Sequence, residues 1–138
     1  MLAHAGKFQQ TLFLFLTGGF LYCGIETLFR GYSHVSMLMA GGLCFILIGH
    51  IRKDMSLISK MFLSVFIITF IELFTGILVN IMLGWNVWDY SGQQYNLMGQ
   101  ICLLFCNIWF FLSLPAILFY DYLCYWLMGG EKPNYKVL

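Results

Sequence analysis

Two carboxylic acids stand alone in long apolar stretches: Glu26 is the sole charged residue between Thr11 and Phe29, and Glu72 the sole one between Met61 and Leu83. Carboxyl groups so placed can hold a cation or a polar solute, or serve as general acid and base. Arg30 follows Glu26 by four residues, on the same face if the helix persists, where an ion pair is natural. Thr69 and Thr75 lie within a turn of Glu72. His34 falls in the loop after the first stretch, and Trp88, Asp89, Tyr90 and Asn96 fall in a second loop that holds enough donors and acceptors to fold back as a lid over the glutamates. Glu26, Arg30, His34, Glu72, Trp88, Asp89, Tyr90 and Asn96 are therefore the expected ligand-binding residues. Two structural alternatives stand beside that reading. Arg30 can simply neutralise Glu26 or Asp89, and a neutral Glu72 bound to a neighbour's hydroxyl would pin helices together. Trp85, Trp88 and Tyr90, taken singly, also suit an aromatic belt at a membrane interface.

The elements that must position these groups follow from composition. The chain has 138 residues, 61% hydrophobic and 9% charged, with a mean hydropathy of +0.83. A soluble domain carries about 25% charged residues, so this chain lacks the polar surface to coat itself in water and reads as an all-α integral membrane protein. Apolar runs at 11–29, 36–51 and 61–83, with a fourth beginning at 97 and crossing to about 118, each approach the ~20 residues that span ~30 Å of hydrocarbon. Residues 1–138 thus form a single transmembrane domain, a bundle of four transmembrane helices. Apolar character continues to Met128, and Pro115 lies inside the last run. Either one kinked helix projects past the bilayer or a span ends near Pro115 with a second segment after it. Four spans with a kinked or interfacial C-terminal extension is the expected form, its aromatic end at Tyr120, Tyr122, Tyr125 and Trp126 suiting an interface.

With four spans, Lys7, Arg52, Lys53, Lys60, Lys132 and Lys136 fall on one side and only Arg30 on the other. The positive-inside rule makes the former side cytoplasmic, with both termini in the cytoplasm of a multi-pass cell (inner) membrane protein. The first run is long enough to span and has no small-residue cleavage site, so it does not read as a removable signal. Phe20–Glu26 and Phe66–Glu72 align as a possible repeat. A net charge of +1 gives no basic face for nucleic acid, and nothing resembles the phosphate-cradling Gly-rich loop, so any ATP hydrolysis would need another subunit. All five cysteines lie in apolar runs. Cys102 and Cys106 share a helix face but make only half a tetrahedral site, so packing is their expected role, and neither metal nor cofactor is expected.

The order Glu72-x-x-x-Gly76, Trp88-Asp89-Tyr90-Ser91, Asn96-Leu97-x-Gly99-x-Ile101-Cys102 and Trp109 resembles the ABC-transporter type IV, or CmpB-like, family. Span one is also similar, with Gly19 and Gly24 ahead of Glu26, whereas His34-Val35-Ser36 departs from the family's usual first loop. The resemblance implies a polytopic membrane protein whose family name suggests transport.

Three functions stay open on these residues. The leading one is a membrane transport or ligand-binding component, with Glu26 and Glu72 lining a polar, outward-opening pocket for a small polar or cationic ligand, and Arg30 and Asp89 setting its field. Four spans enclose little volume, so the bilayer aside, the expected partners are further copies of the chain or a partner membrane subunit. The second is an intramembrane enzyme using the same acids on a lipid or lipid-linked substrate. The third is a structural or regulatory membrane subunit in which the polar cluster serves assembly.

Overall fold

The computed structural model describes residues 2–138. Helix boundaries fall where local chemistry changes. Helix α1, Lys7–Arg30, ends at Gly31, whose left-handed φ of 79° lets its N–H reach the Thr27 carbonyl, a turn that a side chain would strain. Helix α2, Val35–Gly49, starts at His34, whose Nδ1 accepts the Ser36 N–H at 3.1 Å. Helix α3, Leu57–Gly76, is capped by Ser56 Oγ accepting from the Ser59 N–H at 3.2 Å. Beyond Gly76 the coil widens into a π-helical stretch, Ile77–Met82. Helix α4, Leu103–Met128, stops at Gly129 with φ 70°.

Three of these are long and apolar enough to cross a membrane: Lys7–Arg30, Leu57–Met82 and Leu103–Met128. The apolar α2 is shorter, and its 15 residues rise only about 22 Å at 1.5 Å each. It sits in the middle and packs against all three other helices. Its closest partner is α1, which it meets through Gly18, Gly19, Gly41 and Gly42, all buried. Small residues at such a crossing let two backbones approach. On α3, Phe62, Phe66, Phe70 and Phe74 recur every fourth residue and are all exposed, a stripe suited to lipid, while Ile68 and Ile71 pack inward with Cys44, Ile48 and Trp109.

The chain ends meet. The Leu2 N–H donates to the Leu127 carbonyl at 2.7 Å, and the Leu57 and Ile58 N–H groups, orphans of the first turn of α3, donate to the carbonyls of Lys136 and Val137. The tail thereby caps α3 with backbone.

One boundary differs from the sequence reading, and one alternative it left open is decided. Residues 97–102 do not open the last helix. Asn96–Leu97 (β1) pairs antiparallel with Ile101–Cys102 (β2) across a turn in which Met98 and Gly99 have φ of 56° and 72°, and α4 starts only at Leu103. Of the two alternatives at Pro115, the single helix is the one found: α4 runs unbroken to Met128. Proline removes one N–H and leaves the Phe111 carbonyl without its usual partner, a loss the helix absorbs while the turns on either side stay paired.

Candidate functional site

The 20 residues between Met82 and Leu103 hold the long loop, and two polar side chains fasten it. The Asn80 carboxamide, from the π-helical stretch, donates through Nδ2 to Gln100 Oε1 at 2.7 Å and accepts the Val87 N–H at 2.7 Å. Gln100, itself buried, donates through Nε2 to the Met98 carbonyl at 2.9 Å. The Trp88 indole N–H donates to the Gln100 carbonyl at 2.9 Å. The loop therefore folds inward with Val87, Trp88 and Tyr90 buried. Asn80→Ala is expected to cost about 2 kcal/mol, because it strands the buried Val87 N–H and a Gln100 acceptor at once. Limited proteolysis should then cut within residues 84–100 at protease levels that spare the wild type.

Tyr90 reaches inward to Glu72. Its ring stacks on Phe105 with centroids 4.7 Å apart, and its hydroxyl donates to Glu72 Oε1 at 3.2 Å. Burial, and then the neighbouring Glu72 charge, hold this phenol above its ordinary pKa, so at neutral pH it remains a donor. The other Glu72 oxygen, Oε2, accepts from the Trp109 indole N–H at 3.0 Å. Glu72 is 5% exposed, and the void beside it, bounded in part by Tyr22, Met37 and Trp88, has a volume of about 10 Å³. That is room for one water at most. Both carboxylate oxygens are occupied by fixed donors in close packing.

Glu26 has another environment. It is 8% exposed and forms an ion pair with Arg30, whose Nε donates to Oε2 at 2.7 Å and whose Nη2 reaches the same oxygen. Arg30 also donates to the Val87 carbonyl at 3.5 Å and lies over the Tyr32 ring. The pair lines a cavity of about 250 Å³ with Tyr90, Phe105, Trp109 and Leu112. Glu72 is not among its walls. Tyr90 and Trp109 are shared: they wall the cavity that Glu26 lines and donate to Glu72. A second cavity of about 440 Å³ lies deeper, lined by Tyr22, Gly41, Phe45, Trp109, Leu112 and Pro115 among others. Ile25, Trp109 and Leu112 bound both cavities, so the two adjoin between α1 and α4, and the deeper one is also walled by α2 through Gly41 and Phe45. Leu21 and Phe119, on the walls of the deeper part, are exposed.

The remaining sequence-derived residues fall elsewhere. His34 caps α2 and packs on Trp85. Asp89 is exposed and accepts the Ser91 N–H at 2.8 Å, which holds its carboxyl below the usual carboxylate range. Asn96 fastens the loop tip, donating to the Gln93 carbonyl at 2.8 Å and accepting the Gly99 N–H at 3.0 Å. The structure thus gathers Glu26, Arg30 and Tyr90 around one cavity, joins Glu72 to it through Tyr90, and buries Trp88 beneath the loop. Trp109 is the member of this cluster that the pattern of ionisable groups does not single out. A lone Trp in an apolar helix reads as packing, and only its place in the family-like motif marked it. Among the described residues, no group of three His, Cys, Asp or Glu gathers that could hold a metal ion.

Compared with known families, residues 13–136 match the one described as "Putative ABC-transporter type IV". No curated protein and no solved structure matches the chain.

Proposed function

This chain belongs to the ABC-transporter type IV family, and from that premise we propose that it is a transport-related, ligand-binding membrane component that takes an amphiphile into the groove between α1 and α4. The observation that carries this reading is the adjacency of the two cavities, which share Ile25, Trp109 and Leu112 as walls. An apolar body fits the deeper part, and a polar or cationic head meets the Glu26–Arg30 pair at the other. A groove with apolar walls and a few polar groups at one end is the usual form of a small-molecule site. Glu72 serves this site indirectly, by fixing the Tyr90 and Trp109 rings that wall it. With both oxygens engaged and room beside it for one water at most, that carboxylate suits assembly and not acid–base chemistry.

The same proposal includes the topology. All four helices cross the membrane, α2 as a short span packed against the other three with Met39, Leu43 and Leu47 exposed on its outer face, and the basic residues at the end where the termini meet face the cytoplasm. The Glu26 end then opens outward from an inner membrane, and copies of the chain or a partner subunit associate with it.

A thermal-shift titration of the purified chain with dodecyl amphiphiles bearing ammonium, zwitterionic, carboxylate or hydroxyl heads tests the reading. The ammonium or zwitterionic forms are expected to stabilise the wild type. Glu26→Gln should weaken the effect about tenfold through loss of a charged contact, and Leu112→Trp, which fills the shared neck, should abolish it. Equal stabilisation of all three proteins, or none of the wild type, would overturn it.

A further inference from the structure

The opposite end of the molecule carries a second candidate site, independent of the groove. Lys60, in the first turn of α3, is 5% exposed. It borders a cavity of about 350 Å³, which Lys53, Lys132, Asp121, Glu131 and Tyr135 also line. Among the described residues its ammonium has no hydrogen-bond acceptor and no ion-pair partner; the Tyr135 ring, with its centroid 5.6 Å away, is the contact it makes. The Lys60 stem is packed away while the ammonium keeps access to the cavity, so an anion there would meet it without displacing a protein partner. The start of a helix also disfavours positive charge, which a bound anion would offset. Asp121 does not compensate, because its Oδ2 is taken by the Tyr135 hydroxyl at 2.9 Å, and neither it nor Glu131 pairs with a lysine.

We propose that this cavity binds a phosphate group, with Lys60 as the buried contact and Lys53 and Lys132 closing over it. Three ammoniums and two carboxylates line the space, leaving one surplus positive charge, which a phosphodiester monoanion neutralises. The cavity lies where the ends of α2, α3 and α4 meet the charged tail, with Gly49, Lys60 and Tyr120 on its walls. That is the level at which lipid headgroups are found, and basic pockets between spanning helices commonly receive them. A glycerophospholipid headgroup and soluble phosphate share the chemistry that the lysines recognise, and the test separates them.

The full chain, purified in a neutral detergent, is titrated with phosphatidylglycerol, with diacylglycerol of the same acyl chains, and with inorganic phosphate, and bound molecules are counted by native mass spectrometry. The expected result is retention of phosphatidylglycerol but not of diacylglycerol. Binding should weaken about tenfold in Lys60→Met, the loss of one charged contact, and also in Lys132→Ala. The latter lies in the tail outside any helix and gives a readout should Lys60→Met fail to fold. Competition by inorganic phosphate at equal concentration would support the phosphate site and assign it to a soluble ligand. Equal retention of phosphatidylglycerol and diacylglycerol with no phosphate binding, or unchanged affinity in Lys132→Ala and any folded Lys60 variant, would overturn the proposal.

Discussion

Replacing Glu72 with alanine is expected to destabilise the folded chain by about 3–5 kcal/mol. The substitution strands two buried donors at about 1–3 kcal/mol each and opens a cavity besides. The Trp109 indole N–H has no acceptor other than Glu72 Oε2, and it cannot turn because the ring stacks on Tyr22 with centroids 5.4 Å apart. The Tyr90 hydroxyl likewise points inward at Oε1. Glu72→Gln should cost less, about 1–2 kcal/mol, since an amide keeps one oxygen for the indole and the tyrosine hydroxyl can turn to accept from the NH₂. Unfolding titrations in mixed micelles would measure both. Adding Trp109→Phe to Glu72→Ala should recover part of the loss, because the stranded donor is then gone. Polar pairs between membrane helices average about 0.6 kcal/mol, and a Glu72→Ala cost no larger than that would deny the carboxylate its role in holding the loop.

The second large effect belongs to the α1–α2 crossing. A Cβ at Gly42 would lie 2.6 Å from the Phe15 carbonyl oxygen, and one at Gly19 would lie 2.6 Å from the Leu38 carbonyl oxygen. Both obstacles are backbone, so no rotamer change relieves them and the helices must separate. Gly42→Ala and Gly19→Ala are each expected to cost about 2–3 kcal/mol. Gly24 lies in the same α1, but nothing falls within 4 Å of a Cβ built there. Gly24→Ala should be neutral or stabilise by up to ~1 kcal/mol through helix propensity. Opposite signs at Gly24 and Gly42 in one unfolding assay would locate the close approach; losses of equal size would point to a general need for flexibility in its place.

These outcomes depend on features of very different visibility in the sequence. The apolar runs placed the first three helices to within a few residues, whereas the last, read as 97–118, runs Leu103–Met128. Glu26 and Arg30 were legible as a pair from their spacing alone. The inward fold of Trp88-Asp89-Tyr90 was foreshadowed by donors and acceptors crowded into one loop. What each member does was not, since Tyr90 turns to Glu72 while Asp89, one residue away, turns to its own backbone. The partners of Glu72 come from a loop and from α4, 18 and 37 residues away in sequence, and no periodicity encodes such meetings. Residues 97–102 read as helix because they are apolar, whereas the positive φ at Met98 and Gly99 depends on the Asn96 and Gln100 side chains that tie the turn. Lys60 reads as one more interfacial lysine, and its burial follows from where the tail comes to rest.

The groove proposed between α1 and α4, with Leu21 and Phe119 exposed on its walls, has a consequence for how any guest is measured. A molecule arriving sideways from the acyl chains stays out of bulk water, so occupancy follows its mole fraction among the surrounding lipids. Its encounters are then two-dimensional. An intrinsic preference of only a few kcal/mol can fill the groove when the guest partitions strongly into the bilayer, and the same guest assayed in excess micelles is diluted into apparent indifference. Affinities for this protein therefore belong on a surface-density scale.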